Sequence, residues 1–238
     1  MLNLIKKDLI VCVKSERFNV IKYILIFILM YLFCNDISYY ATPVIITYLI
    51  MIGVFSSDYD NNSDKFIRSI PIDLDDIVYS RYLIGAATSI VITILTLFIH
   101  DILSISMFRR TVFYDFVFAM NINLIVLSIT MPLFFRYGYE KIKIAASILA
   151  IAIFTIFGAF LNALSEKIYR AANTGVLIAM NTSRYETIHA FNQIFRGIVS
   201  KINVDSVNIV TVGVACIIIF IISMGLSLKA MKKNRYIK

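Results

Sequence analysis

Charge is scarce in this 238-residue chain: Asp, Glu, Lys and Arg make up 16% of it, against 60% hydrophobic residues. A soluble domain carries about 25% charged residues. That class is excluded, and no polar half separates off as a second domain. The three cysteines, Cys12, Cys34 and Cys216, are odd in number, far apart and set in or beside apolar runs. They read as small apolar fillers rather than a disulfide framework or a metal site. The two histidines, His100 and His189, have no metal-ligand partners at suitable spacing. None of the eight glycines precedes a lysine, so the Gly-Lys-Ser/Thr step that holds nucleotide phosphates is missing. If ATP drives this protein, another chain binds it with its Mg ion, and this chain is expected to hold no cofactor and to be no enzyme itself. The four glutamates, Glu16, Glu140, Glu166 and Glu186, are isolated. That argues against an intramembrane protease, which needs a glutamate pair, although His189-Ala-Phe-Asn192 resembles one element of such a site. The N-terminus shows no short apolar core followed by a small-residue cleavage site, so no cleaved signal peptide is expected.

What the chain has is apolar length. Spans are expected near 20–38, 42–57, 77–100, 113–135, 142–163 and 206–229, because a helix needs about 20 residues to cross the hydrocarbon core. The second is short, so it either extends into the polar loop or crosses nearly upright. The third can start at Leu74 and reach Asp101, so it must tilt or project. Pro43 falls in a first turn, where a missing N–H is harmless, and Pro132 is expected to stop or kink the fourth span. Residues 2–18 place Leu2, Ile5 and Leu9 on a stripe with Lys6, Lys7, Lys14 and Arg17 mostly off it, as in a helix lying in the membrane interface. The fold class is therefore an all-α integral membrane protein in the lipid bilayer, with six spans and one domain.

Net charge is +8, but the basic residues flank apolar runs instead of clustering with aromatics, so nucleic acid is not an expected partner. Their placement sets orientation. With the N-terminus inside, the inner segments hold sixteen of the 23 basic residues. An even number of spans puts both termini in the cytoplasm.

Few ionisable groups fall within spans, as Asp101 and Asp115 sit at ends, and this disfavours an ion-coupled transporter. Thr47 and Tyr48 on the second span and Asn121 and Asn123 on the fourth either line a pathway or hydrogen-bond between helices. Residues 164–205 form the largest outer piece. Ser183-Arg-Tyr-Glu186 is a capping box. With it Tyr185, Ile188, Phe191, Phe195, Ile198 and Ile202 recur at helical steps, as in a second amphipathic helix that lies either on the outer leaflet or against the exit of a pathway, where Phe191 and Phe195 would meet a substrate.

The most charged interruption is the loop 58–76, with six of the fifteen acidic residues between Asp58 and Asp76. Asn61 and Asp64 approximate a capping box that opens a short helix. Phe66, Ile67 and Ile70 share one face, edged by Lys65 and Arg68, and Pro71 ends the helix. Asp73 and Asp76 repeat the cap before Ile77-Val78-Tyr79-Ser80-Arg81-Tyr82-Leu83. A second interruption, Pro132-Leu-Phe-Phe-Arg-Tyr-Gly-Tyr-Glu-Lys141, is a proline, a glycine turn at Gly138 that fits positive φ, and a charged restart.

Both interruptions resemble the cytoplasmic loops of ABC-2-type exporter membrane subunits. The match lies in the acidic cluster, the Ser69-Ile70-Pro71 break, Ile77–Leu83, and the Pro132…Arg136-Tyr137-Gly138…Glu140-Lys141 pattern. The resemblance covers almost the whole chain. It implies a permease whose short cytoplasmic helix (Asp64, Lys65, Phe66, Ile67, Arg68, Ile70, Pro71) docks into a separate ATPase subunit. Gly138, Glu140 and Lys141 either join that contact or cap the fifth span. The resemblance also implies outer re-entrant helices between spans five and six, a homodimer with two ATPase copies, and a place in a bacterial cytoplasmic membrane. Within the family the chain looks most like permeases that export small amphipathic peptides such as phenol-soluble modulins, so an amphipathic peptide or other hydrophobic substrate is expected. The alternative is a six-span channel or a peptide-sequestering immunity protein.

Overall fold

A computed structural model describes residues 20–33, 38–60, 73–103, 113–171 and 209–236, and every one of these except Asp73 and Gly138 is helical. The helices are α1 (Val20–Phe33), α2 (Ser38–Asp60), α3 (Leu74–Leu103), α4 (Phe113–Tyr137), α5 (Tyr139–Ala171) and α6 (Ile209–Tyr236). The interfacial helix at 2–18, the short loop helix with Asp64, Lys65, Phe66, Ile67, Arg68, Ile70 and Pro71, and the outer helix with Phe191 and Phe195 lie outside the described residues.

Four helices, α2, α3, α4 and α6, are long and apolar enough to cross a membrane. The exposed face of α3 shows which solvent surrounds them. Val91, Ile94, Leu95, Phe98 and Ile102 point outward, while Ser89, Thr93, Thr96 and His100, at steps of four, three and four, are buried. Water would force the reverse. In lipid, apolar groups face outward at no cost and hydroxyls find partners between helices. The chain is an all-α membrane protein.

α4 is the hub, packed against α2, α3, α5 and α6. Val44 and Tyr48 of α2 meet Phe118, Ile122 and Val126 of α4 and Ala150 of α5. Met51 of α2 joins Val78, Tyr82 and Ile84 of α3 and Leu127 and Met131 of α4. Leu124 and Ile125 of α4 close on Cys216 of α6. On α6 the ideal Cβ of a residue at 213 would stand 3.2 Å from Asn121 Oδ1, so Gly213 lets the two helices approach there. α1 packs on α2. Its Phe27 and Tyr31 lie with Tyr39 around the His100 ring, at centroid distances of 4.9, 5.7 and 4.6 Å.

Three sequence expectations change. α2 outruns 42–57 at both ends, so Pro43 lies in its second turn and not its first, and Asp58, Tyr59 and Asp60 belong to the helix instead of the loop. α5 starts at Tyr139 and runs to Ala171, past the expected 142–163, because the turn before it is a single residue. Pro132 does not stop α4, which continues to Tyr137. A proline withholds the N–H due to the carbonyl four residues back. That carbonyl belongs to Ser128, and the Ser223 hydroxyl of α6 donates to it at 2.5 Å. A second helix thus supplies the missing donor, as buried backbone in a membrane requires.

Candidate functional site

The ends of α2 and α4 and the starts of α3 and α5 gather at one end of the bundle, here called the base. Asp58, two residues before the end of α2, forms an ion pair with Arg81, two turns into α3. The pair is buried, with Arg81 3% and Asp58 8% exposed. The guanidinium also lies over the Phe55 ring, 5.6 Å from its centroid. Phe55 stacks on Phe134 at 4.8 Å and meets Phe135 edge-on at 5.5 Å. Two charges held among rings attract strongly because little water screens them. The pair therefore fixes the two helix ends from which 61–72 departs.

α4 ends in an αL cap. Gly138 has φ of +80°, and its N–H donates to the Phe134 carbonyl at 3.0 Å. That is the single-bond form of helix termination, which favours glycine. Gly138→Ala should lower stability by about 1–2 kcal/mol through left-handed strain alone, since nothing stands within 4 Å of the added Cβ. Thermal unfolding of purified protein in detergent reads this, and an unchanged midpoint would contradict the positive φ. Immediately after the turn, Glu140 Oε2 accepts a hydrogen bond from the Tyr59 hydroxyl of α2. The Tyr59 ring lies 6.0 Å from Tyr139. Lys141 is exposed, and the Lys143 ammonium lies 5.8 Å from the Tyr139 centroid. The C-terminal end of α6 reaches the same place, where Lys232 Nζ stands 3.0 Å from Asp75 Oδ2 in an exposed pair.

Just inside the base runs a chain of hydroxyls. Ser223 spends its proton on the Ser128 carbonyl, so it accepts from Tyr82, 2.7 Å away. Tyr82 has then spent its own proton and accepts from Ser227 at 2.8 Å. This order links α3, α4 and α6 through buried side chains.

The four interior polar residues divide. Asn123 Nδ2 donates to Thr93 Oγ1 at 3.4 Å, and the Tyr48 hydroxyl donates to Ser147 Oγ at 3.5 Å. Thr47 Oγ1 and Asn121 Nδ2 are buried without a hydrogen-bond partner among the described residues. All four are buried. Of the loop residues singled out in the sequence, Gly138, Glu140 and Lys141 come to the base. Asp58, Tyr59 and Arg81, which organise it, were not singled out. One signal was available: an arginine inside the apolar run of a span needs a partner.

These features define a polytopic helical membrane protein with its charged contacts concentrated at one end. A sequence model described as ABC-2 family transporter protein matches residues 3–232. The chain belongs to that family, as the loop motifs implied. No curated protein and no solved structure matches it. The family's members are membrane components of transport, not themselves catalytic, and the family implies partnership with an ABC ATPase subunit.

Proposed function

We propose that the chain is the membrane-spanning subunit of an ATP-driven exporter, with six spans and both termini in the cytoplasm. On this reading the base is the cytoplasmic end and receives the ATPase. The observation that carries it is that the helix ends flanking 61–72 and the 138–141 turn meet at the base. The ends flanking 61–72 are clamped by Asp58–Arg81, and the 138–141 turn is tied to them by Tyr59–Glu140. A push on the short loop helix would reach α2, α3 and the start of α5 together. Two copies of the chain with two ATPase subunits complete the pump. Its substrate is an amphipathic or hydrophobic molecule, with small peptides the favoured class. The apolar face of 184–202 stands at the exit, where Phe191 and Phe195 meet it. Thr47 and Asn121, buried with open hydrogen-bonding groups, are positions that a polar part of the substrate would engage in another conformation.

Phe66, Ile67 and Ile70 form the docking face, with Lys65 and Arg68 at its rim. Buried aromatic anchors dominate such interfaces, whereas rim charges add little. Phe66→Ala should cost on the order of 2 kcal/mol of docking, and Lys65→Ala much less. Co-purification with its ABC ATPase subunit, and the substrate-stimulated hydrolysis of that subunit, measure both. Normal docking and stimulation in Phe66→Ala would overturn the reading.

A further inference from the structure

We propose that α5 is a hinged arm that swings about Gly138 and is held shut by the Tyr59–Glu140 hydrogen bond. The proposal rests on the reading of the base as the coupling site and says what that site releases. Three observations carry it. The connection between α4 and α5 is one residue, already in a conformation that glycine adopts freely, with open space around its Cα. Near the hinge the face that α5 turns inward is smooth, with Ala146 and Ala150 buried while Ile144, Ile148, Ile151 and Ile156 point outward; the larger Ile153, Phe154 and Phe157, half-buried against α2, α4 and α6, come only farther along. Small side chains interlock little, so the first turns of α5 slide readily past α2 and α4, and the packing a swing must break is that of Ile153, Phe154 and Phe157 farther out.

The third observation is a difference in fastening. α2, α3, α4 and α6 are joined by buried bonds: Asp58–Arg81, Thr93–Asn123, and the chain Ser227–Tyr82–Ser223–Ser128. The α5 arm is joined to α2 by Tyr59–Glu140, where Tyr59 is 47% exposed and Glu140 is exposed, and by the longer Tyr48–Ser147 contact. Water competes for an exposed bond, so it opens at little cost compared with a buried one. When the clasp opens, the seam between α2 and α5 parts. It uncovers Tyr48, a phenol set in an apolar wall of Val44, Phe118 and Ile122 on α2 and α4. Such a surface suits an amphipathic chain that brings one hydrogen-bonding group.

Paired spin labels in lipid nanodiscs test this, with labelled chain diluted in unlabelled chain. One pair joins α5 to α3, at Ile148 and Ile94. The control pair joins α6 to α3, at Ile218 and Ile94. All three positions are exposed. Tyr59→Phe and Glu140→Ala should each add a second, longer population to the Ile148–Ile94 distances and leave the control pair single. Glu140→Gln keeps an acceptor for the phenol and should match the unmodified clasp. An unchanged Ile148–Ile94 distribution in Tyr59→Phe, or equal broadening of both pairs, overturns the hinge. The distances are read on this chain alone. Undiminished docking by Phe66→Ala overturns the coupling reading instead, so the two failures are distinct.

Discussion

Asp58→Ala should destabilise the folded chain by about 3–5 kcal/mol, the usual cost of stranding one charge of a buried pair. Arg81 cannot shed its proton. At 3% exposure it also cannot reach water without moving the start of α3. The Phe55 ring offers partial compensation, since the guanidinium already sits over its face, but a cation over a ring recovers only about 0.5–2 kcal/mol. Asp58→Asn keeps an oxygen acceptor and should fall between the two. Replacing both partners with apolar residues of similar size, Asp58→Leu with Arg81→Met, should be milder than Asp58→Ala, because no charge is left behind. Denaturant unfolding of the purified chain in one detergent ranks the three. If the double variant is the least stable, the pair is held by attraction and not by the avoidance of an unpaired charge.

Ser223→Ala should cost about 1–3 kcal/mol, the penalty for a buried group left unsatisfied. Hydrogen bonds between helices in membranes average about 0.6 kcal/mol. This one should exceed that average, because the Ser128 carbonyl has no helical donor to return to. Tyr82 loses its acceptor in the same variant. A double-mutant cycle isolates the cause. Pro132→Ala restores an N–H four residues after Ser128, so Ser223→Ala should cost markedly less in that background. Equal cost in both backgrounds would show that Ser223 matters only through Tyr82.

The helices were legible from apolar length, and the α4–α5 turn from Gly138 between a proline and a charged restart. That α2 runs on into the polar loop was one of two readings its short apolar run allowed, but the burial of its end was not legible. Ser56-Ser57-Asp58-Tyr59-Asp60 is as polar as any loop, yet Ser56, Ser57 and Asp58 are buried. What buries Asp58 is Arg81, 23 residues on, and local pattern holds no trace of that pairing. Tyr59 and Glu140 meet across 81 residues and were equally hidden. On α3 the spacing of Ser89, Thr93, Thr96 and His100 is visible, but hydropathy alone ranks the opposite face as the core. Pro132 followed the rule for an isolated helix, and the structure departs from that rule because a distant helix supplies what the proline withholds.

That repair has a consequence for how the chain is made. Ser128 and Ser223 are 95 residues apart. As the chain leaves the ribosome, α4 enters the bilayer with its backbone break open, and no residue yet synthesised can close it. α4 and α5, joined by one residue, arrive together and wait. The break is sealed only when α6 docks and brings its serine. The hub of the bundle is therefore complete only after α6 has been made, and that helix is the pin for one begun more than a hundred residues earlier.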